Sequence, residues 1–295
     1  MLLLIATGYG ITKAGMLSSK TRVDLTNIVI YIIMPCNIFS AFHKGITPEI
    51  LLQCLLVFMA ATGLQVLVFV LNKLLYIKIE PQRRVVLQYA TIVNNAAFIG
   101  LPVIGAVYGP LGVLYGSIML IPMRVVMWTQ GLALFTKMDK KESVKVIVTH
   151  PCIWAVFLGL GYIFVPFELP EFLSGAIKLA GDCATVLPMF VVGSILHGVK
   201  LKEVLNKASF YYSFFRLAFI PAVMFSVLKL LQVPPMVLSV AVLSSAMPAA
   251  VTTAMLAEKY GQDSAFSSKL VFISTILSMI TLPVITLLLQ RFSPV

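Results

Sequence analysis

Apolar runs of about 20 residues follow one another along the whole chain, each long enough at about 1.5 Å per residue to cross a hydrocarbon core. The polar stretches between them are too short to fold as a soluble domain. The pattern predicts ten transmembrane helices, over residues 1–13, 24–42, 49–71, 84–108, 112–136, 146–165, 172–197, 209–231, 236–257 and 266–290. The first run, MLLLIATGYG, lacks the basic start and small-residue cleavage site of a signal peptide and reads as a short first span.

Basic residues test that count, because short cytoplasmic loops collect Lys and Arg. With ten spans, 16 of the 22 fall in the odd-numbered loops, and only Lys44, Lys229 and Arg291 fall in the even-numbered loops and the tail. A different count would mix the two sets, so both termini are expected outside. Arg124, Lys178 and Arg216 remain within spans; Arg216, near a cytoplasmic end, is expected to snorkel to the surface. The net charge of +11 is thus a topology signal, with attraction to anionic lipid as a by-product, and calls for no nucleic acid.

Composition agrees: 60% of residues are hydrophobic, 11% are charged, and mean hydropathy is +1.00. Cys36, Cys54, Cys152 and Cys183 lie in or beside apolar runs without metal-binding spacing and read as packed thiols. His43, His150 and His197 stand at span ends, again without ligand spacing. The sequence has no phosphate-binding loop, dinucleotide fingerprint, G-x-S-x-G or zinc motif. Neither ATP drive nor catalysis has support, and no cofactor is expected beyond a coupling ion, H+ or Na+.

A weak internal repeat divides the chain. At an offset of 153, Gly8 and Tyr9 fall on Gly161 and Tyr162, and Pro35 on Pro188; at 152, Tyr108 and Gly109 fall on Tyr260 and Gly261. The repeats are 1–136 and 146–295, joined by a basic cytoplasmic linker, 137–145. Five spans per repeat is an odd number, so the second repeat is inverted, as in many secondary transporters with a site near the midplane where repeats meet.

Two stretches break the apolar pattern at matching places. NNAAFIGLP starts at Asn94 in span 4, and SSAMPAAVTT starts at Ser244 in span 9. Pro248 lacks an amide hydrogen and its ring crowds the carbonyl four residues back, so it is expected to break span 9. Asparagine and glycine suit unwound backbone in span 4, and Pro102 is expected to kink the half-helix beyond. Non-helical backbone at this depth is stable only when buried in protein or lining a wet cavity. Facing breaks would make one cavity, where half-helix N-termini suit an anionic group.

The stretches NAAFIGLPVIGAVYG, AMPAAVTTAMLAEKYG, LPVITLLL and IVIYIIMPCNIF resemble the auxin efflux carrier (PIN-like) family of the bile acid, arsenite and riboflavin transporter superfamily. The resemblance covers essentially all ten spans. It implies an all-α membrane protein with spans 4 and 9 broken and crossed, a scaffold of spans 1, 2, 6 and 7, and a transport domain of spans 3–5 and 8–10. It further implies elevator-type transport and a homodimer through the scaffold. Asn95 matches the crossover asparagine and Pro248 the crossover proline. Plant members carry a proline where Asn94 stands and often a long hydrophilic loop, so the closer analogue is a bacterial-type carboxylate permease of the inner membrane.

The candidate substrate-binding residues are Asn94, Asn95, Arg124, Ser245, Pro248, Thr252 and Thr253, with Ser244 beside them. Charges near the middle of a span are costly, so Arg124 and Asp182 invite a role. They read either as a structural ion pair or as a carboxylate-attracting cation and a coupling-ion site. Lys178, one turn before Asp182, is a further partner for it. The expected substrate is a small organic anion. A sodium-coupled bile-acid-like symporter and a non-transporting receptor or enzyme on the same fold are the alternatives.

Overall fold

The computed structural model describes residues 2–40, 48–131, 133–135, 151–163, 165, 168–184, 186–197 and 207–293. The linker 137–145, His43, His150 and the loop lysines Lys44, Lys200 and Lys202 lie outside them, as does the side chain of Cys152. Where described, the chain is helical almost throughout, as hydrocarbon requires of a backbone that must bond within its own segment. Among the described residues, four helices are long and apolar enough to cross a membrane: Pro48–Leu75, Ala96–Val126, Lys207–Leu230 and Ala265–Phe292. Shorter apolar helices, such as Tyr31–Ser40 and Pro235–Ser245, accompany them.

The chain divides into two compact units. The first comprises Met1–Leu52, Ala97–Ser117 and Val148–Gly198. Within it, α1 (Leu2–Lys13) packs along α9 (Val186–His197), and α3 (Met34–Ser40) packs against α7 (Pro151–Ile163) and α8 (Glu171–Asp182). A π turn, Val29–Ile33, joins α2 (Ser19–Ile28) to α3. Glycine sets the close approaches: a methyl on Gly8 would stand 2.5 Å from the Phe190 carbonyl oxygen, and one on Gly181 would stand 3.0 Å from the Asn37 Cα. Asn37 Nδ2 also donates to the Gly181 carbonyl (3.1 Å).

The unit also contains a reversal. Helix α6 (Leu101–Val126) is interrupted at Gly109, where φ is 65° and ψ is −159°. Only glycine adopts that conformation readily, and Pro110 follows it. A methyl on Gly116 would meet Leu101 at 2.8 Å, although the two positions would lie about 22 Å apart in a straight helix. The helix therefore folds back into a hairpin between the boundaries expected for spans 4 and 5.

The second unit comprises Gln53–Ala96, Ile118–Ile147 and Val199–Val295. It takes most of α4 (Pro48–Leu75), α5 (Pro81–Ile92), α10 (Lys207–Phe214), a π turn at Phe215–Phe219, α11 (Ile220–Leu230), α12 (Pro235–Ser245), α13 (Thr252–Lys259) and α14 (Ser264–Phe292). Tyr76, Leu87, Ala90, Tyr212, Ala249 and Phe266 share its buried core. Between α13 and α14 the chain turns at Gly261, again with left-handed φ (66°), and Asp263 caps α14 by accepting from the Phe266 amide (2.8 Å). Gly109 and Gly261, aligned in the sequence repeat, thus adopt the same unusual φ.

Candidate functional site

Both mid-helix irregularities are real breaks, and they meet inside the second unit. Helix α5 stops at Ile92, residues 93–95 are non-helical, and helix resumes at Ala96 through a π turn, Ala96–Gly100, leading into α6. That wide turn lies just ahead of Pro102 and relieves the clash its ring would make with the preceding turn. Helix α12 stops at Ser245, and α13 begins at Thr252, with Pro248 in the gap.

The two gaps pair as a fragment of antiparallel sheet, Asn94 opposite Ala249. The Asn95 amide donates to the Pro248 carbonyl (2.8 Å), and the Ala250 amide to the Val93 carbonyl (3.4 Å). The Ala249 amide donates to Ser274 Oγ (3.2 Å) from α14. Backbone freed by each break is thus satisfied by the other break or by a neighbouring side chain, as burial in hydrocarbon demands.

Each break also leaves a helix C-terminal end with carbonyls that lack amides, carrying about half a unit of negative charge. Arg216 meets both: its Nη1 donates to the Thr91 carbonyl (3.0 Å) and its Nε to the Met247 carbonyl (3.1 Å). Tyr212, one turn earlier, donates its hydroxyl to the Ala90 carbonyl (2.9 Å). The expectation that Arg216 snorkels is therefore wrong; the residue is 2% exposed. Two cut helix ends offer the guanidinium more than the membrane surface would, and the π turn at Phe215–Phe219 contains the side chain's root.

The adjacent asparagines part ways. Asn94 is fully engaged, its Nδ2 donating to the Ser244 carbonyl (2.7 Å) and its Oδ1 accepting from the Ala96 amide (3.2 Å) at the start of the second half-helix. Asn95 is equally buried, yet neither side-chain Oδ1 nor Nδ2 has a hydrogen-bond partner among the described residues. The hydroxyls of Ser244 and Thr253 are in the same state. Ser245 bonds its own helix at the Val242 carbonyl (2.7 Å). Thr252 accepts from the Tyr89 hydroxyl (3.3 Å), on which the buried Arg124 also acts electrostatically.

Asn94, Asn95, Ser245, Pro248, Thr252 and Thr253 are thus gathered at the paired breaks, with Arg124 linked to them through Tyr89. Asp182 belongs to the first unit, exposed at the end of α8, with Lys178 exposed one turn before it. Sequence reading missed Arg216, Tyr212, Tyr89 and Ser274. The available signal was an arginine four residues after a tyrosine, on one face of a helix without acidic residues.

The chain as a whole has known relatives. A family model described as membrane transport protein matches residues 1–149 and 137–286. The uncharacterized transporter MJ1031 of Methanocaldococcus jannaschii is 24% identical over 212 residues, 68% of each chain. The chain belongs to the membrane transport protein family, that of the auxin efflux carriers, and is a multi-pass membrane transporter.

Proposed function

We propose that the chain is a secondary carrier of a small organic anion, a mono- or dicarboxylate, bound at the paired breaks. The observation that carries this reading is the buried Asn95 amide, without a partner for donor or acceptor among the described residues. Leaving such groups unmade costs about 1–3 kcal/mol each, which a ligand recovers on binding. Charge supports an anion. Arg216 offsets two C-terminal helix ends of about half a negative charge each, while the N-terminal ends at Ala96 and Thr252 keep about half a positive charge each. A carboxylate placed there is held by Asn95, Thr253 and Ser244, with Arg124 drawing it in and Asn94, Ser245, Pro248 and Thr252 holding the frame.

Further parts of the proposal follow from the family resemblance and the loop charges. They are ten spans in two inverted repeats with both termini outside, elevator-type movement of the crossover, a homodimer through the scaffold, and residence in a bacterial inner membrane. Asp182 is the proposed coupling group for a proton, with sodium coupling as the alternative. Uptake or exchange of labelled carboxylates by protein in liposomes tests the reading, under separate sodium and proton gradients. Saturable uptake that Asn95→Ala lowers at least about tenfold, and about 1.4 kcal/mol or more in binding, supports it. Absence of uptake of any such anion, with Asn95→Ala folded and equal to the unaltered protein, overturns it.

A further inference from the structure

The second unit carries a groove of about 490 Å³ whose chemistry differs from that of the helix breaks. Its walls are the faces of α11 and α14, with Leu217, Pro221, Val242, Val284, Leu288 and Phe292 prominent. Two polar side chains line it: Ser226, which donates its hydroxyl to the Ala222 carbonyl (2.9 Å), and Thr281, whose hydroxyl has no partner among the described residues. A groove of this size is within the usual range for a bound small molecule, and its walls suit hydrocarbon rather than a polar solute.

One end of the groove is cationic. Helix α14 has 29 residues, about 43 Å, so it outruns a hydrocarbon core of about 30 Å and its end reaches headgroup depth. Phe292 closes the groove there. Lys229 Nζ donates to the Phe292 carbonyl (3.0 Å), and the Arg291 guanidinium stands 5.8 Å from the Phe292 ring centre. Neither α11 nor α14 contains an aspartate or glutamate. Two cations beside an apolar channel, on helices without a carboxylate, match a phosphodiester carrying acyl chains.

We propose that this groove seats one anionic phospholipid, an acyl chain lying along α11 and α14 and the phosphate between Lys229 and Arg291. The site is independent of the transported solute. Val242, three residues before the end of α12, lines it, as does Leu217, next to Arg216. An occupied groove therefore buttresses the helices that hold the breaks together.

Native mass spectrometry of the full chain, loaded with phosphatidylglycerol or phosphatidylcholine, tests the proposal. A one-to-one phosphatidylglycerol adduct is expected, weakened about 30-fold in Lys229→Gln/Arg291→Gln, the effect of two basic residues at a membrane surface. Ala222→Trp, which fills the groove but leaves both charges, is expected to remove the adduct, with thermal melting to verify that both variants fold. Equal retention of the two lipids, or an adduct that neither variant weakens, overturns the proposal. So does a dimer that Ala222→Trp dissociates without any lipid adduct, which would make a second copy the occupant.

Discussion

In the first unit, Gly8 lets α1 rest on the backbone at Phe190, and Gly181 lets α8 rest on the backbone at Asn37. Such contacts gain dispersion from close approach and leave the helices that make them intact. The second unit is held differently. Its helices α5 and α12 are cut, and Arg216, Tyr212, Asn94 and Ser274 serve the severed backbone with four side chains from three regions of sequence. Close packing yields an apolar interior with nothing for a polar solute to recognise. Cutting helices creates polar ends, and whatever the side chains do not cover is where the proposed ligand binds.

The comparison makes graded predictions. Arg216→Met should cost about 3–5 kcal/mol, since it strands carbonyls of both breaks together, and a large fall in melting temperature in detergent will check it. Asn94→Ala should cost about 2–4 kcal/mol by orphaning the Ser244 carbonyl and the Ala96 amide, whereas Asn95→Ala should not destabilise the ligand-free protein, because it removes two groups that have no partner among the described residues. Chemical denaturation of the two variants side by side separates a frame residue from a ligand-facing one; equal losses would erase the distinction. In the first unit, Gly8→Ala forces a methyl against the Phe190 carbonyl and should cost about 1–3 kcal/mol, with no specific change in solute affinity once folded. Tyr89→Phe removes a side-chain bond between helices and should cost only about 0.6 kcal/mol, the average for such bonds in membranes.

Much of this was legible in sequence for physical reasons. Pro248 cannot continue a helix, Gly109 and Gly261 mark reversals, and paired amides at Asn94 and Asn95 have no ease in lipid. What could not be read was allocation. Adjacent asparagines have identical chemistry, and only the pairing of Asn94 with Ala249 decides that one amide is spent on backbone and the other is not. Arg216 was misread because depth along a span does not reveal direction: the same arginine can reach outward to water or inward to a carbonyl. Its inward partners, Thr91 and Met247, lie 125 and 31 residues away in sequence, beyond any local pattern. Asp182 shows the converse, a charge whose mid-span position in sequence becomes the exposed end of a short helix, because the chain turns at Cys183 and Ala184.

The ladder between Asn94 and Ala249 constrains motion. Backbone bonds tie the broken segments to each other, and one guanidinium rivets both, so prying them apart would forfeit every one of those attachments in a solvent that offers no replacement. In the proposed carrier, opening the site first to one face of the bilayer and then to the other does not proceed by unzipping it. On that proposal both segments travel together, as a single cassette.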